Sequence, residues 1–503
     1  MSEQTDSNGY QRGLDLTEAG RHKEALDCFQ EHLMYHPDDD QALNDTGAVM
    51  FCLGRTDESL HYLLKAHQLA PDKPQIVWNL VESYLAAGRP EEAAELFDSM
   101  EKNGIINTDV INRCSNAFLN KENKIGAINM LLRSLNLEPK QEVLRGMIEI
   151  IKNKTAKVAI FCGADGRNFL DDIVEYLQER FEVRFFEGCN QQQMYELMRW
   201  SDISWFEWCT DLAAAGSKLP KVCKNIVRLH RYEAYLHWPA QVSWANIDLL
   251  IMAGNSFVKE ALLRQVPDIE SKTTIETIPN GVNLDRFQFV NRPRGKNIVF
   301  LANLRMVKNP AFILQCMQKL HYIDAAYQLF IAGRFQDYAL LQYITHMINA
   351  LGLNGFVHLD GWQKDVNSYL ADKHYVATTS IIESQGMGVL EGMACGLKPV
   401  VHNFPGAEEI FGEGYLFNIS EDFCRQILSE DYEPIKYRRF VEERYSHKRQ
   451  LARIDGIFAQ MQLEIDSERS ADEGYGTQAR NSDETAAVKT ESVEKDSLSN
   501  LYR

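Results

Sequence analysis

Two different rhythms of apolar and polar residues divide the chain. Over roughly the first 140 positions, a small and a bulky position recur together every 34 residues. The small ones are Ala25, Ser59, Ala93 and Ala127, and four positions after each come Phe29, Leu63, Phe97 and Leu131. Gly20, Gly54 and Gly88 mark one turn at the same period, with Glu122 in the fourth copy. Pro37, Pro71 and Pro139 mark the other turn, with Ile105 in the third copy. A small residue lets two helices cross closely, an aromatic or Leu one turn later fills the adjacent space, and Gly or Pro ends each helix. The pattern predicts helix pairs that bury their apolar faces only by stacking, with a shared core and a concave groove. From about Lys157 the rhythm changes. "KVAIFCGADGRNFLDDIVEYLQERFEVRFF" reads as strand, glycine-containing turn, amphipathic helix and strand. The short apolar runs "DISWFEW", "NIVRLH", "IDLLIMAG" and "TTIETIPNG" then alternate with helical stretches. A second series starts at "KNIVFLANL" and continues through "AYQLFIAG", "FVHLDGW", "HYVATTS" and "LKPVVHN". Strands alternating with helices form a parallel sheet wrapped by helices, so two series predict two α/β domains with a cleft between them.

The helical repeat resembles the tetratricopeptide repeat, whose grooves hold a peptide or another protein. The expected organisation is an all-α repeat domain over 1–150, a first Rossmann-like domain over 156–288, and a second over 289–464 ending in a crossover helix. After about Asp466 large apolar residues become scarce and Ser, Thr, Glu and Lys dominate, which predicts a disordered tail over 467–503.

Composition narrows the function. At 503 residues the chain exceeds a single core. Its formal charge of -18 argues against nucleic acid or anionic lipid as a partner, because a polyanion needs a basic surface. One anionic small ligand in a local pocket stays compatible with that charge. No apolar run reaches the roughly 18 residues of a transmembrane segment, and the start, "MSEQTDSNGYQRG", has no signal-peptide core. The ten cysteines are scattered singly without a Cys-x-x-Cys pair, as in reduced thiols of a cytoplasmic protein.

The chemistry concentrates in "ESQGMGVLEGMACGLKPV", Glu383 to Val400. In a doubly wound sheet, ligands sit beyond the carboxyl ends of strands. "HYVATTS" is such a strand and "MGVLEGMACG" a short helix, so Gly386, Met387 and Gly388 fall at a helix N-terminus, where free amides and the positive dipole end favour a phosphate. Glu391 lies one turn into the helix, placed for the hydroxyls of a ribose. Glu383 precedes the glycines, on the side where a sugar would lie. Two glutamates eight positions apart are common by chance; the whole block is not. It resembles the Glu-x7-Glu donor motif of retaining glycosyltransferases of family 4 type, which have two Rossmann-like domains, the B-type glycosyltransferase fold. The resemblance runs from about Val158 to Glu464 and takes in "IPNGVNLDRF", "FLANLRMVKNP" and "HNFPGAEEIF" in the family's order.

The resemblance implies roles for further residues. Arg305 and Lys308 would balance the diphosphate. The family often has Gly-Arg-Leu where this chain has Ala302-Asn303-Leu304, so its arginine position is Asn303 here and Arg305 stands two further on. His230, in "NIVRLHRYEAY", matches a family histidine close to the transferred sugar, with Arg228 and Glu233 as weaker candidates. Gly163, in "CGADGRN", matches a loop facing the cleft. Glu207 ends a strand as either an acceptor contact or a structural carboxylate, and "MAGNSF" is treated as architecture. No Asp-x-Asp pair lies at a suitable strand end, so no metal and no cofactor are expected. The implied activity is transfer of a sugar from a nucleotide-diphospho sugar to an acceptor, with retention and without metal. Protein or glycan would be the acceptor, with a protein or peptide held in the repeat groove. Two other readings stay open: a repeat-based scaffold with an inactive transferase domain, and a sugar-nucleotide enzyme with a small acceptor.

Overall fold

The computed structural model describes residues 3–471 except 164, 165 and 168. These residues fall into two compact units. Among them, one unit comprises residues 3–155, Arg180–Glu182 and 458–471; the other comprises Ala156–Glu179 and Val183–Ile457.

Over residues 3–155 the first unit is all helical in its regular elements. Its pairs are Glu3–Glu18 with His22–Tyr35, Asp40–Cys52 with Thr56–Leu69, and Thr108–Asn120 with Lys124–Leu137. In the remaining pair, Pro74–Ala86 is followed by Pro90–Glu95 and Phe97–Lys102, a helix interrupted at Leu96; a further helix, Glu142–Lys152, follows the last pair. The small positions Ala25, Ser59, Ala93 and Ala127 are wholly buried, as are Phe29, Leu63 and Phe97. The turn glycines earn their place through backbone conformation: Gly20, Gly54 and Gly88 have φ of 73°, 74° and 67°. Glu122 holds the same left-handed turn at φ 59° without being glycine. In the third copy, where Ile105 replaces proline, Gly104 at φ 66° makes the turn instead.

The second unit carries two six-stranded sheets. The first contains β1 (Lys157–Cys162), β2 (Glu182–Phe185), β3 (Ile203–Glu207), β4 (Lys224–Leu229), β5 (Leu249–Met252) and β6 (Thr274–Thr277), in the order β2-β1-β3-β4-β5-β6. The second contains β7 (Asn297–Leu301), β8 (Gln328–Ala332), β9 (Val357–Gly361), β10 (Tyr375–Thr378), β11 (Lys398–His402) and β12 (Leu416–Phe417), in the order β12-β11-β10-β7-β8-β9. The pairing is parallel, with Ile298 opposite Leu329 and Tyr375 opposite Lys398. Both faces of the second sheet are covered, as parallel sheets require. Ile298, Phe300, Leu329 and Ile331 pack on Leu314, Met317 and Leu320, whereas Val299, Val376 and Val401 pack on Leu390 and Met393. Strand order reverses between β1 and β3 in the first sheet and between β7 and β10 in the second, and ligands of such sheets bind where it reverses.

The stretch expected to run as one crossover helix is two: Pro434–Tyr445, then residues 447–471. Between them the chain bridges to Val282, whose N–H donates to the Tyr445 carbonyl at 2.7 Å. The second helix returns to the first sheet, where Arg453 pairs with Glu276 at 3.0 Å and the Gln450 side chain accepts from the Gly281 N–H at 3.0 Å. Residues 467–471, placed in the tail by composition, continue this helix; from 472 on the tail lies outside the described residues. No helix of the described residues is long and apolar enough to cross a membrane.

Candidate active site

At the switch point of the second sheet, two loops meet. The chain leaving β7 makes one 3-10 turn, Met306–Lys308, and passes through Asn309 at φ 49° into the helix Pro310–Ile323. The chain leaving β10 runs through Ser380 and Glu383 to Gly386. Ile381 N–H donates to the Val307 carbonyl at 3.0 Å, and the Thr379 hydroxyl to the Asn309 carbonyl at 2.8 Å, which lace the loops together. The Lys308 ammonium donates to the Glu383 carboxylate, and the Ser380 hydroxyl donates to the same oxygen at 2.7 Å. Glu383 is nearly buried, so its charge is met by a lysine brought from the neighbouring strand end.

Gly386, at φ 74°, caps the helix Met387–Ala394, and the amides of Met387 and Gly388 are among the four that such a start leaves without an intrahelical acceptor. Gly388 has a packing reason of its own: a Cβ there would lie 2.6 Å from the Leu301 carbonyl oxygen, so glycine lets the helix start against the end of β7. Glu391 sits on the same helix. Burial pushes its carboxyl up to about 7, against a weaker pull downward from the Arg286 charge. Arg305 is not brought to the Lys308–Glu383 pair; it is exposed and its guanidinium donates to Gln336. Asn303 is exposed as well.

The switch point of the first sheet gathers a second group. Gly163 follows β1, and the next two residues of its loop lie outside the described residues. A Cβ on Gly163 would meet Leu212 at 3.7 Å, an ordinary contact, so packing does not dictate glycine there. Trp208 follows β3 at φ 70°, a strained conformation for a bulky residue. Its indole N–H donates to the Gly166 carbonyl at 2.9 Å, and its ring lies 4.1 Å from that of His230. His230 Nε2 is 2.8 Å from Glu207 Oε1, which also accepts from Arg228 Nη1 at 3.1 Å. The other oxygen of Glu207 accepts from the Trp205 indole at 2.9 Å. Burial acts to raise the Glu207 carboxyl, but the Arg228 charge and the hydrogen bonds from His230 and Trp205 prevail and hold it below the usual carboxylate range. Glu207 is completely enclosed and both its oxygens are engaged by protein donors, the arrangement of a structural carboxylate. Glu233 accepts from the backbone N–H groups of His230 at 3.0 Å and Cys209 at 3.3 Å. Among the described residues its second oxygen is buried without a hydrogen-bond partner, and burial raises its carboxyl despite the opposing pull of His230.

Connections between the two groups escaped the sequence reading. Arg228 Nη2 donates to the Asn280 side chain. Asn280 in turn donates its N–H to the Gln385 side chain at 2.8 Å and accepts from the Gln385 amide at 2.7 Å. Asn255, taken as architecture, caps the helix Ser256–Gln265 through its oxygen and donates from its nitrogen to the carbonyls of Glu383 at 3.1 Å and Pro405 at 3.2 Å. An Asn before a helix signals a cap; nothing in the sequence signals that its other end reaches the donor loop. Among the described residues, no group of three or more His, Cys, Asp or Glu is placed to hold a metal ion.

An all-α repeat region followed by two parallel, helix-covered sheets is the architecture of the B-type glycosyltransferase fold with a helical repeat region in front. Residues 282–434 match the family model for "Glycosyl transferases group 1", and residues 51–103 match that for "Tetratricopeptide repeat". Similar solved structures include a glycosyltransferase from Rickettsia africae, 16% identical, covering 61% of this chain and 98% of its own with a TM-score of 0.49. HepE of Anabaena in complex with UDP-glucose has the same four values. A mutant O-GlcNAc transferase from Thermobaculum terrenum is 13% identical over 92% of this chain and 97% of its own, with a TM-score of 0.41. No curated protein matches the chain.

Proposed function

We propose that this protein is a retaining, metal-independent hexosyltransferase that takes its sugar from a nucleotide-diphospho donor bound at the second switch point. The observation that carries the reading is the convergence there of Lys308, Glu383 and a glycine-capped helix start, within the segment that matches the glycosyltransferase family model. Lys308 and the amides of Met387 and Gly388 meet the charge that develops on the departing diphosphate, which is where electrostatic preorganisation lowers the barrier. Arg305 swings from Gln336 to share that task. Glu391 accepts from the ribose hydroxyls, Glu383 orients the sugar, and His230 contacts it from the first domain, with Gly163 in the loop opposite. The repeat groove recruits a protein acceptor, and holding it on the same chain raises its effective concentration at the active site.

The test is donor turnover by the full-length protein in EDTA, with a panel of α-linked UDP-, GDP- and ADP-sugars. The expected result is nucleoside diphosphate release, with the sugar delivered first as the α anomer by proton NMR. A β anomer as the first product contradicts retention, and activity restored only by magnesium or manganese contradicts metal independence. Complete inertness toward the panel favours the scaffold reading.

A further inference from the structure

Four buried polar residues from separate parts of the chain form one path to His230, in which the Gln385 side chain holds the Asn280 backbone and the Asn280 side chain meets Arg228. Gln385 comes from the donor loop after β10 and Asn280 from the segment joining the two sheets. Arg228 comes from β4 and Glu207 from β3. Each is at least 96% buried. A buried arginine and carboxylate are expensive to place in a core, and replacing such a pair by apolar residues is often neutral or stabilising. Packing alone therefore does not account for them. Their geometry does something apolar residues cannot. Because the ionised Glu207 accepts at Oε1, His230 must carry a hydrogen on Nε2, and in the neutral imidazole that leaves Nδ1 as the lone-pair nitrogen. Arg228 reaches Glu207 with one arm of its guanidinium and Asn280 with the other, while Nη1 also donates to the Phe169 carbonyl at 2.9 Å.

We infer that Glu207 and Arg228 are positioning residues: Glu207 fixes the tautomer and orientation of His230, and Arg228 ties that dyad, through Asn280 and Gln385, to the loop that carries Glu383. The inference rests on the donor-site reading for its catalytic consequence, but the tautomer itself is a property of the free protein. When the donor loop and the first sheet are in register, His230 presents an acceptor nitrogen toward the sugar; when the Asn280–Gln385 link is lost, the dyad stays intact but is no longer referenced to the loop.

Two variants of the full-length chain test this. In Glu207→Gln the amide has one oxygen and one NH2. With its oxygen toward Arg228 and His230, the NH2 faces the Trp205 N–H. Turned over, the NH2 faces Arg228 and His230. Either way two donors meet. Nitrogen-15 NMR of histidine-labelled protein, with His230→Ala to assign the signal, should show a single Nε2–H tautomer in the wild type, lost in Glu207→Gln to the extent that the amide turns its NH2 toward His230. A wild-type His230 protonated on Nδ1 overturns the inference whether or not any sugar is transferred. Arg228→Lys retains the charge beside Glu207 but lacks the second arm, and its folding is checked first by circular dichroism. It should retain the Nε2–H tautomer and the donor KM while kcat falls by about 10- to 100-fold, the scale of a misplacement near 1 Å. A kcat equal to the wild type overturns the link through Asn280. If no donor turns over in the wild type, the donor-site reading fails while the tautomer measurement still decides the dyad.

Discussion

Glu391 is the residue at which binding and pH should meet. Its carboxyl titrates near 7 in the folded protein against about 4.5 ordinarily. Between those values the folded chain binds the extra proton, so stability falls as pH rises across this window and levels off above it. Glu391→Gln removes that fall: urea midpoints compared at pH 5 and pH 8 should drop less in the variant, by up to about 3 kcal/mol in stability at roughly 1.4 kcal/mol per unit. A ribose diol donates to the ionised form, so nucleotide binding near pH 6.5 should release a proton. Calorimetry in buffers of different ionisation enthalpy reads that release. Lys308→Met should leave the fold intact, since the side chain is partly exposed, and lower donor turnover by about 100- to 1000-fold through the lost diphosphate charge. A variant within a few-fold of wild type removes Lys308 from the leaving-group role. At this scale the sequence was only half legible. The pairing of Lys308 with Glu383 follows from two strand ends adjacent at a switch point, and both residues were singled out. Gln385 and Asn280 were passed over, because two amides 105 positions apart carry no local signal. Glu207 stayed undecided because a strand-end carboxylate looks the same in sequence whether it faces a ligand or an arginine.

Among the elements, the turn at Glu122 stands out. It adopts the left-handed conformation that glycine supplies in the other three copies, and its side chain is exposed. That conformation costs a non-glycine residue about 1–2 kcal/mol. Glu122→Gly should therefore raise the midpoint of unfolding of the repeat region, by about 1 kcal/mol after glycine's greater entropy in the unfolded chain is subtracted, whereas Gly54→Ala should lower it by a similar amount. Unchanged midpoints in both would show that the turn is not under strain. The repeat was readable because its signals recur at fixed spacing, so a single substitution such as Glu122 or Ile105 is outvoted by the other copies. Most strands were readable because buried parallel strands are runs of apolar residues. β12 was not, since two residues carry no period, and neither was the break at Ser446, which comes from a backbone bridge to Val282 across the sequence.

For the whole molecule, the proposal links a helical groove to a sugar-transfer site. Removing all repeats would be a poor test, because Arg180 hydrogen-bonds Asn129 at 2.7 Å and Phe181 packs on Phe458, which places both segments in the repeat unit. Deleting residues 1–71 instead removes two terminal repeats and retains Asn129, and solenoids depend mainly on nearest-neighbour contacts. Donor hydrolysis should persist in the shortened chain, while transfer to a protein acceptor should weaken mainly through a raised KM. The central claim, that a nucleotide-diphospho sugar is held between Glu383 and Glu391 without a metal, is tested most directly by calorimetric titration of UDP, GDP and ADP into the full-length protein in EDTA. The account predicts that one of them binds at a single site and that Glu391→Ala weakens it by about 1.5–3 kcal/mol, the loss of hydrogen bonds to a charged acceptor. Binding that required an added divalent ion, or that was equally tight in the variant, would contradict it.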